Sequence, residues 1–331
     1  MRAAWYEKQG PARDVLVVGE MPDPTPGSGE VRIRIAASGI NPGDIKKRQD
    51  SFGLGMPYPR VIPHSDGAGT VDQVGEGVST EWVGRQVWCY GAQSYRPFGT
   101  AAEFTVVPLD HVARLTENVS PEEGACLGIP GITAHRAVHV GGDVAGRTVL
   151  VQGAGGAVGM CAVALARHAG AHVIGTVRSP SEEPAAKTAG AHEVVLNDQG
   201  LIERIKALAP IGVDHIVEVA FGANIDADVA MLKMGGSIGA YATDNATPKI
   251  PFWLMVFKNL RVFFLGSDDF PTEAKVAATQ DLNGALQAGW SGFEIGERIP
   301  LSEIARAHEL AERPVRRGRV VLTVGGRSLA P

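Results

Sequence analysis

Apolar and polar positions follow one pattern in the first third of the chain and another in the rest. The segments VRIRIAASGI (31–40) and AAEFTVV (101–107) combine β-branched residues with partial alternation, which is typical of half-buried strands. Turn-forming stretches such as PDPTPGSGE and GEGVST stand between such segments. The pattern predicts an all-β, barrel-like unit that extends to about residue 120.

The pattern changes at Ser120-Pro121-Glu122-Glu123, a capping box with proline at the first helical position, which predicts the start of a helix. From residue 148 onward, strand-like and helical segments alternate. AVGMCAVALARHAG predicts a helix that ends at Gly170, and the predicted strands are TVLVQ, HVIGTV, HEVVL, HIVEVA, SIGAYA and RVFFLG. This alternation is typical of a parallel sheet with helices on both faces.

The last segments do not continue the alternation. Helices are predicted at 272–288 and 302–312, followed by a strand, RVVLTV; we expect these pieces to return to the first unit. The predicted fold class is therefore α/β, with a doubly wound parallel sheet inserted into a β-rich domain. The β-rich domain is expected at 1–122 and 268–331, and the nucleotide-binding domain at 123–267.

Composition narrows the class of protein. The 331 residues are 44% hydrophobic and 20% charged, with a net charge of −5 and no cluster of Lys and Arg, so nucleic acid is not the expected partner. The apolar run at 251–257 is too short to span a membrane. Cys89, Cys126 and Cys161 are odd in number and widely spaced, which excludes a disulfide framework or a four-cysteine zinc lobe. We expect a reduced, cytoplasmic protein.

The stretch QGAGGAVG (152–159) follows a predicted strand and begins a predicted helix, although the G-x-G-x-x-G spacing fails in every register. Gly153 suits the tight turn, Gly156 leaves room for a pyrophosphate, and Gly159 allows close packing of helix on sheet. At the helix N-terminus, Ala157 and Val158 offer N–H groups to an anion. The alternative is a glycine-rich turn that binds no ligand.

The next predicted strand ends in HVIGTVRS. An NAD-binding unit has Asp or Glu at this end, where the carboxylate binds the ribose hydroxyls. Arg178 and Ser179 occupy the place, and a guanidinium can bind a 2′-phosphate. The residues favour NADP (NADPH) over NAD, with an ordinary surface arginine as the alternative.

Several motifs together resemble one protein family. The loop sequence VLVQGAGGAVG, with ASGINPGDIKKR (36–48), IPHSDGAG (62–69) and FGTAAEF (98–104), is similar to the zinc-independent quinone oxidoreductase (zeta-crystallin-like) branch of the medium-chain dehydrogenase/reductase superfamily. The resemblance implies a GroES-like β-barrel catalytic domain, a Rossmann domain that binds NADPH, and a homodimer formed through an edge strand of the Rossmann sheet.

The resemblance also places the ligand positions of the related zinc alcohol dehydrogenases. These positions are occupied by Asn41, Ser65 and, near the third, Ile129, and His64 is one residue out of register. Without thiolate or imidazole at these positions, no catalytic metal is expected.

Hydride transfer to a quinone or another α,β-unsaturated carbonyl needs no Lewis acid, whereas alcohol oxidation does. The resemblance places Asn41 and Asp44 at the nicotinamide cleft. There Asn41 would hydrogen-bond the acceptor carbonyl, and Asp44 would orient the loop. The sequence N-P-G-D is equally a turn and helix-start signal, so a purely structural role remains open for both.

Other positions are expected to contact the cofactor. Thr133 matches a family threonine near the nicotinamide, although a threonine inside a helix also bonds its own backbone. Ala220, Tyr241 and Leu265 lie at or near the ends of predicted strands, where such sheets bind ligands; packing is the alternative. Arg319 matches a basic family position in the last strand, where a surface role is favoured over a cofactor role.

Three other functions compete with this interpretation. Enoyl-thioester reductases of the superfamily have a tyrosine after a similar N-P-x-D segment, where this chain has Phe52, with Tyr58 out of register. A hydrolase is suggested by GGSIG (235–239), but Ser237 begins a predicted strand instead of following one. The third is a non-catalytic, crystallin-like protein that only binds NADPH.

Overall fold

The computed structural model describes residues 1–313 and 318–325. The chain forms two compact units. Unit 1 comprises Met1–Ile129 and Gly292–Pro331, and unit 2 comprises Pro130–Ser291. The middle of the chain is thus an insertion into the unit formed by its two ends, as the sequence predicts.

The strands of the described residues, numbered in chain order, are β1 Arg2–Trp5, β2 Val17–Glu20, β3 Glu30–Gly39, β4 Asp66–Val74, β5 Gln86–Cys89, β6 Phe104–Pro108, β7 Val112–Arg114, β8 Thr148–Val151, β9 His172–Val177, β10 Glu193–Leu196, β11 Val213–Glu218, β12 Leu232–Ala240, β13 Arg261–Phe264, β14 Ile295–Pro300 and β15 Arg319–Thr323.

The helices, numbered in the same way, are α1 Ala12–Val15, α2 Pro42–Gln49, α3 Pro121–Gly124, α4 Gly128–His139, α5 Ala157–His168, α6 Glu183–Thr188, α7 Leu201–Leu208, α8 Phe221–Met231, α9 Phe252–Phe257, α10 Thr272–Gln287 and α11 Ile304–Ala311. In the part of the chain that the structure describes, no helix combines the length and apolar character needed to cross a bilayer.

Unit 1 is built on a seven-stranded sheet with the order β14-β15-β3-β4-β5-β7, and β6 also pairs with β3. All of its pairings are antiparallel except β14 with β15. Apolar residues of β3, β4 and β5 pack with those of β15 and α11 in one core. The C-terminal strand therefore completes the sheet that the N-terminal strands begin, which is why the chain must return.

Unit 2 is a six-stranded parallel sheet with the order β10-β9-β8-β11-β12-β13. The strand order reverses between β8 and β11, and ligands bind such sheets at the carboxyl ends of the strands on either side of this point. The predicted strands and their parallel arrangement are confirmed. β12 begins at Leu232, earlier than the sequence indicates, because the segment after α8 is already extended.

The unit boundaries differ from the expected domain limits of 122 and 267. The first boundary falls after Ile129, and the second after Ser291 instead of near 267. The second difference arises because α10 packs within unit 2: a Cβ on Gly131 of α4 would lie only 2.3 Å from Cδ1 of Leu282. Sequence periodicity identifies α10 as a helix but does not say which sheet covers its apolar face.

Candidate functional site

The turn between β8 and α5 leaves the N-terminus of α5 without a side-chain cap. Gly153 has φ of +68°, a conformation that glycine adopts without strain, and the N–H of Gly156 donates to its carbonyl at 2.9 Å. Gly156 is the N-cap of α5, and no side chain caps the helix. The N-terminal N–H groups of α5, including those of Ala157 and Val158, therefore have no acceptor within the helix and are the kind of donors that bind an anion.

The three glycines spaced three apart differ in how much room surrounds them. A Cβ on Gly159 would lie 2.1 Å from the Gly153 carbonyl oxygen, so this position tolerates no side chain. A Cβ on Gly156 would meet only that same oxygen, at 3.3 Å. Gly159 thus allows the close approach of helix and turn, while Gly156 leaves space open above the turn. This geometry fits a dinucleotide diphosphate.

A chain of hydrogen bonds between buried side chains holds the turn between β8 and α5 in place. The backbone N–H of Gly153 donates to Oγ1 of Thr176 at 3.2 Å, and Thr176 donates to Oε1 of Gln152 at 2.6 Å. Nε2 of Gln152 donates in turn to Oδ1 of Asp228 at 2.8 Å. This network could not be read from the sequence, because its members come from three separate segments and match no motif.

The network ends in two buried carboxyl groups, Asp228 and Glu218. Burial raises the pKa of Asp228 well above its usual value, and the nearby Glu218 raises it further. Burial also raises the pKa of Glu218. Glu218 accepts hydrogen bonds from the Ala220 backbone N–H and from Asn224. The pair therefore shapes the turn that follows β11.

Three of the predicted cofactor residues of unit 2 follow the carboxyl ends of parallel strands, and so lie along one edge of the sheet. Ala220 comes after β11, Tyr241 directly after β12 and Leu265 directly after β13. The N–H of Tyr241 donates to the Glu218 carbonyl at 3.1 Å, and the N–H of Leu265 to the Ala240 carbonyl at 2.9 Å. Thr133, in contrast, is buried within helix α4 and does not follow a strand.

Arg178 and Ser179 directly follow β9 on the same edge and are exposed or half-buried. The Arg178 guanidinium contacts Glu182 at 3.2 Å, and its backbone N–H donates to the same carboxylate at 2.9 Å. Glu182 lies against the turn between β8 and α5, called the phosphate turn below, since a Cβ on Gly155 would be 2.8 Å from the Glu182 Cβ. The sequence analysis found no acid at this strand end, but the structure brings one there from five residues further along the chain.

Unit 1 places a polar cluster at the start of α2. Nδ2 of Asn41 donates to Asp66 at 2.6 Å, and its Oδ1 accepts from Arg319 at 2.9 Å. All three side chains are buried. Both ends of the Asn41 amide are therefore held in one orientation by charged groups from β4 and β15.

Asp66 was missed by the sequence analysis, although it forms the centre of this cluster. Its carboxylate also accepts from the Ile129 backbone N–H at 2.9 Å. Burial raises the pKa of Asp66 to about 7, with a smaller upward contribution from Asp44 and opposing contributions from Asn41 and Arg319. Its position in DGAG, at the first residue of a strand, was the only feature of the sequence that could have drawn attention to Asp66. The sequence does not show that this acid is buried.

The structure changes one expectation about this cluster and supports one alternative that the sequence left open. Arg319 is 5% exposed and donates to the Ile40 carbonyl as well as to Asn41, so the favoured surface role is wrong. The sheet buries this side chain because β15 lies next to β3. Asp44 accepts the Asn41 backbone N–H at 2.7 Å, which is the helix-capping contact that the sequence left open.

At the catalytic zinc positions of related dehydrogenases, Asn41, Ser65 and Ile129 offer no thiolate or imidazole. The Asn41 amide is occupied by Asp66 and Arg319, and Ile129 has an alkyl side chain. The neighbouring His64 is fully buried, with Nδ1 against Ser38 at 2.8 Å and Nε2 against His308 at 2.9 Å. This donor set does not match the thiolate and imidazole ligands of such zinc sites.

Comparison with known proteins agrees with this fold and site. Residues 27–117 match the family model "Alcohol dehydrogenase GroES-like domain", and residues 157–279 match "Zinc-binding dehydrogenase". A parallel nucleotide-binding sheet inserted into a GroES-like unit defines the class of medium-chain dehydrogenases and reductases.

Individual relatives narrow the class. The chain is 32% identical over 297 residues to the quinone oxidoreductase of Rattus norvegicus, covering 86% of each chain. A mycobacterial protein solved in complex with NADPH is similar with a TM-score of 0.81 and 25% identity, covering 98% of this chain and 100% of that one. A 2-haloacrylate reductase has a TM-score of 0.80 at 26% identity, covering 98% and 99%. The chain belongs to the quinone oxidoreductase family of the medium-chain dehydrogenase/reductase superfamily.

Proposed function

We propose that this protein is an NADPH-dependent reductase that transfers hydride, without zinc, to a quinone or another α,β-unsaturated carbonyl compound. The observation that supports this most directly is the uncapped N-terminus of α5 above a turn in which Gly156 leaves room for a diphosphate. The rat relative is a quinone oxidoreductase, and the mycobacterial neighbour was solved with NADPH.

In this proposal, unit 2 binds the cofactor along the carboxyl edge of its sheet. The N–H groups of Ala157 and Val158 hold the diphosphate, the absence of a side chain at Gly156 leaves room for it, and the Gly153 turn keeps these groups in place. Arg178 and Ser179 hold the 2′-phosphate, while Ala220, Tyr241 and Leu265 border the rest of the cofactor, and Thr133 contacts the nicotinamide. When bound, NADPH supplies the hydride and the redox chemistry.

Asn41 is the polar group that we propose for the acceptor. An asparagine amide has two N–H donors, and Asn41 uses one of them on Asp66. We assign the second to the carbonyl oxygen of the acceptor, on which negative charge develops as hydride arrives. Asp66 and Arg319 fix the amide so that it points one way, and Asp44 holds the start of α2.

The acceptor class follows from the donor set around Asn41. With no thiolate or imidazole set to hold a Lewis acid around Asn41, the described residues there offer an alkoxide only the hydrogen bond of this amide. A conjugated carbonyl spreads the charge over its own atoms and needs only a hydrogen bond. The similar 2-haloacrylate reductase is named for a substrate of this conjugated type.

A second candidate, an enoyl-thioester reductase, is less well supported. Phe52 is exposed and has no hydroxyl, and the hydroxyl of Tyr58 donates to the Tyr95 carbonyl at 2.6 Å. In the N-terminal segment, the protonating tyrosine of those enzymes therefore has no free counterpart.

The test is NADPH oxidation, followed by absorbance, against a quinone, an enone, an enoyl thioester and a saturated aldehyde, with NADH as the cofactor control. We expect turnover of the quinone or enone with NADPH, and Asn41→Ala to lower kcat by about 100-fold, as loss of an oxyanion donor does. Asn118→Ala, in an exposed loop of unit 1, is the matched control. NADPH binding without oxidation by any acceptor would instead support the non-catalytic, crystallin-like function.

We also propose that the protein is a homodimer formed through β13. This strand is an edge of the unit 2 sheet, and neighbouring apolar side chains are exposed: Phe264 by 72%, together with Phe252, Trp253, Leu254 and Phe257. An unpaired edge strand flanked by an apolar patch is suited to pairing with a second copy of itself.

For the compartment we propose the cytoplasm. Cys89, Cys126 and Cys161 are buried thiols that form no disulfide, which suits a reducing environment. Fractionation of cells that produce the protein would test this.

A further inference from the structure

Unit 2 contains a cluster of possible metal ligands that the proposed reductase does not use. His135 and His139 stand four residues apart on α4, and Asp281 comes from α10. One ligand atom of each of the three lies within 4.8 Å of the others. No sequence motif joins these three residues, because the sequence does not place α10 beside α4.

The spacing of the His135 and Asp281 ligand atoms is close to that of two ligands around one ion, and His139 lies beside them. Nε2 of His135 and Oδ2 of Asp281 are 3.0 Å apart, and the rings of His135 and His139 are 4.6 Å apart. Two ligand atoms bound at ~2.0–2.1 Å in a tetrahedral zinc site are about 3.3 Å from each other. A shift of a few tenths of an ångström would therefore let both atoms bind the same ion.

The backbone that supports the cluster is already in place. Helices α4 and α10 are in close contact one turn before His135, where Gly131 meets Leu282. His135 and Leu282 are buried, whereas the Asp281 side chain is 48% exposed. The cluster therefore lies at the solvent edge of a tightly packed helix pair, which an ion can reach without unfolding.

From this geometry we propose that His135, His139 and Asp281 bind a divalent transition-metal ion, with Zn²⁺ as the best match. Two imidazoles and one carboxylate are a ligand set that Zn²⁺ uses, and histidines four apart on a helix bind it from one face. Mg²⁺ and Ca²⁺ prefer oxygen ligands and fit poorly. The fourth position is left to water.

The ion would join the helix that begins unit 2 to the helix that ends it. Such a bond stabilises the folded unit, because it forms only when α4 and α10 are packed together. The site shares no residue with the positions of the catalytic zinc in related dehydrogenases, so NADPH oxidation does not depend on it.

The test uses the full-length protein, dialysed against EDTA and then against metal-free buffer. Zn²⁺ is titrated in by calorimetry, the melting temperature is measured with and without Zn²⁺ or Mg²⁺, and the visible spectrum of the Co²⁺ form reports coordination number. We expect one Zn²⁺ per chain, a higher melting temperature with Zn²⁺ but not Mg²⁺, and a tetrahedral Co²⁺ spectrum.

His139→Ala and Asp281→Asn are expected to weaken Zn²⁺ binding by about 100-fold or more, since even loss of an outer-shell partner costs ~10–100-fold. His172→Ala is the control, because His172 also has a histidine beside it, His192, at 4.4 Å. Circular dichroism checks that each variant is folded. The proposal is overturned if the wild type binds no Zn²⁺, if both site variants bind it as tightly as the wild type, or if only His172→Ala loses it.

Discussion

At the residue scale, the side chains that define the site are fixed by partners distant in the chain. Asn41 is an ordinary turn residue in sequence, but Asp66 and Arg319 hold its amide from both sides. Arg178 likewise forms an ion pair with Glu182. The chemistry of each residue thus depends on these contacts as well as on its own type.

Cofactor preference is expected to depend on the Arg178–Glu182 pair. Arg178→Ala should reduce the NADPH-over-NADH affinity ratio by about tenfold or more, because a hydrogen bond to a charged group contributes roughly 1.5–3 kcal/mol. Glu182→Gln should raise the ratio, since the carboxylate no longer competes with the 2′-phosphate for the guanidinium. Dissociation constants for both cofactors measure this.

Lys187→Ala is the matched control, because Lys187 forms a similar exposed pair with Glu183 and should leave the ratio unchanged. An unaltered ratio in Arg178→Ala would show that other residues select the cofactor.

The buried Asp66 is expected to make stability depend on pH. Its pKa is about 7 in the folded protein, above the unfolded value of 3.8. The folded state therefore binds the proton more tightly, and this contribution to stability, a few kcal/mol at most, is present below about pH 4 and lost as the pH rises through about 7.

Asp66→Asn should flatten the change in unfolding free energy between about pH 5 and pH 8 relative to the wild type. Urea titrations at several pH values measure it, with the exposed Asp226→Asn as control. Comparison with the wild type removes the opposing effect of His64 and His308, whose lowered pKa values make them destabilising in acid. Parallel pH curves for Asp66→Asn and the wild type would contradict the assignment.

At the scale of elements, the junction of β8 and α5 combines structural and binding requirements in neighbouring glycines. The turn needs Gly159 for close packing and Gly156 for open space. A strict G-x-G-x-x-G spacing is not required, because the three-apart pattern meets both needs.

Alanine substitutions should separate these two needs. Gly159→Ala places Cβ against the Gly153 carbonyl and should destabilise the fold by about 1–3 kcal/mol, as overpacking does. Gly156→Ala should leave the melting temperature close to that of the wild type but weaken NADPH binding. If Gly156→Ala bound NADPH normally, the diphosphate would have to lie elsewhere.

At the scale of the whole molecule, the sheet of unit 2 ends in an edge, β13, that no other described strand covers. Phe264 on β13 and the apolar residues of α9 are exposed together. Among the described residues this apolar surface stays largely exposed to solvent, and we propose that a second copy covers it.

Phe264→Lys should shift the protein from dimer to monomer. Burying a phenylalanine contributes about 1.5–3 kcal/mol, and a charge on an edge strand opposes pairing, so the dimer dissociation constant should rise by roughly 10- to 100-fold or more. Analytical ultracentrifugation measures it. Ile211→Lys, at another strongly exposed position, should have no effect; a monomeric wild type would refute the proposed assembly.

The sequence by itself determined the elements and the class of fold, because these follow from local physics. The capping box at Ser120 starts a helix where predicted, alternating apolar segments form the parallel strands, and the glycines of the phosphate turn follow β8. A periodic apolar face, a cap or a tight turn depends on residues close together in the chain, so one sequence is enough to read it.

Only the tertiary structure decided which distant residues meet. Burial of Arg319 beside Asn41, the raised pKa of Asp66, the approach of Glu182 to the phosphate turn and the meeting of His135 with Asp281 all join segments from different elements. Such contacts depend on strand order and helix packing, which no local pattern encodes. The partners of each candidate site residue are therefore known only from the tertiary structure.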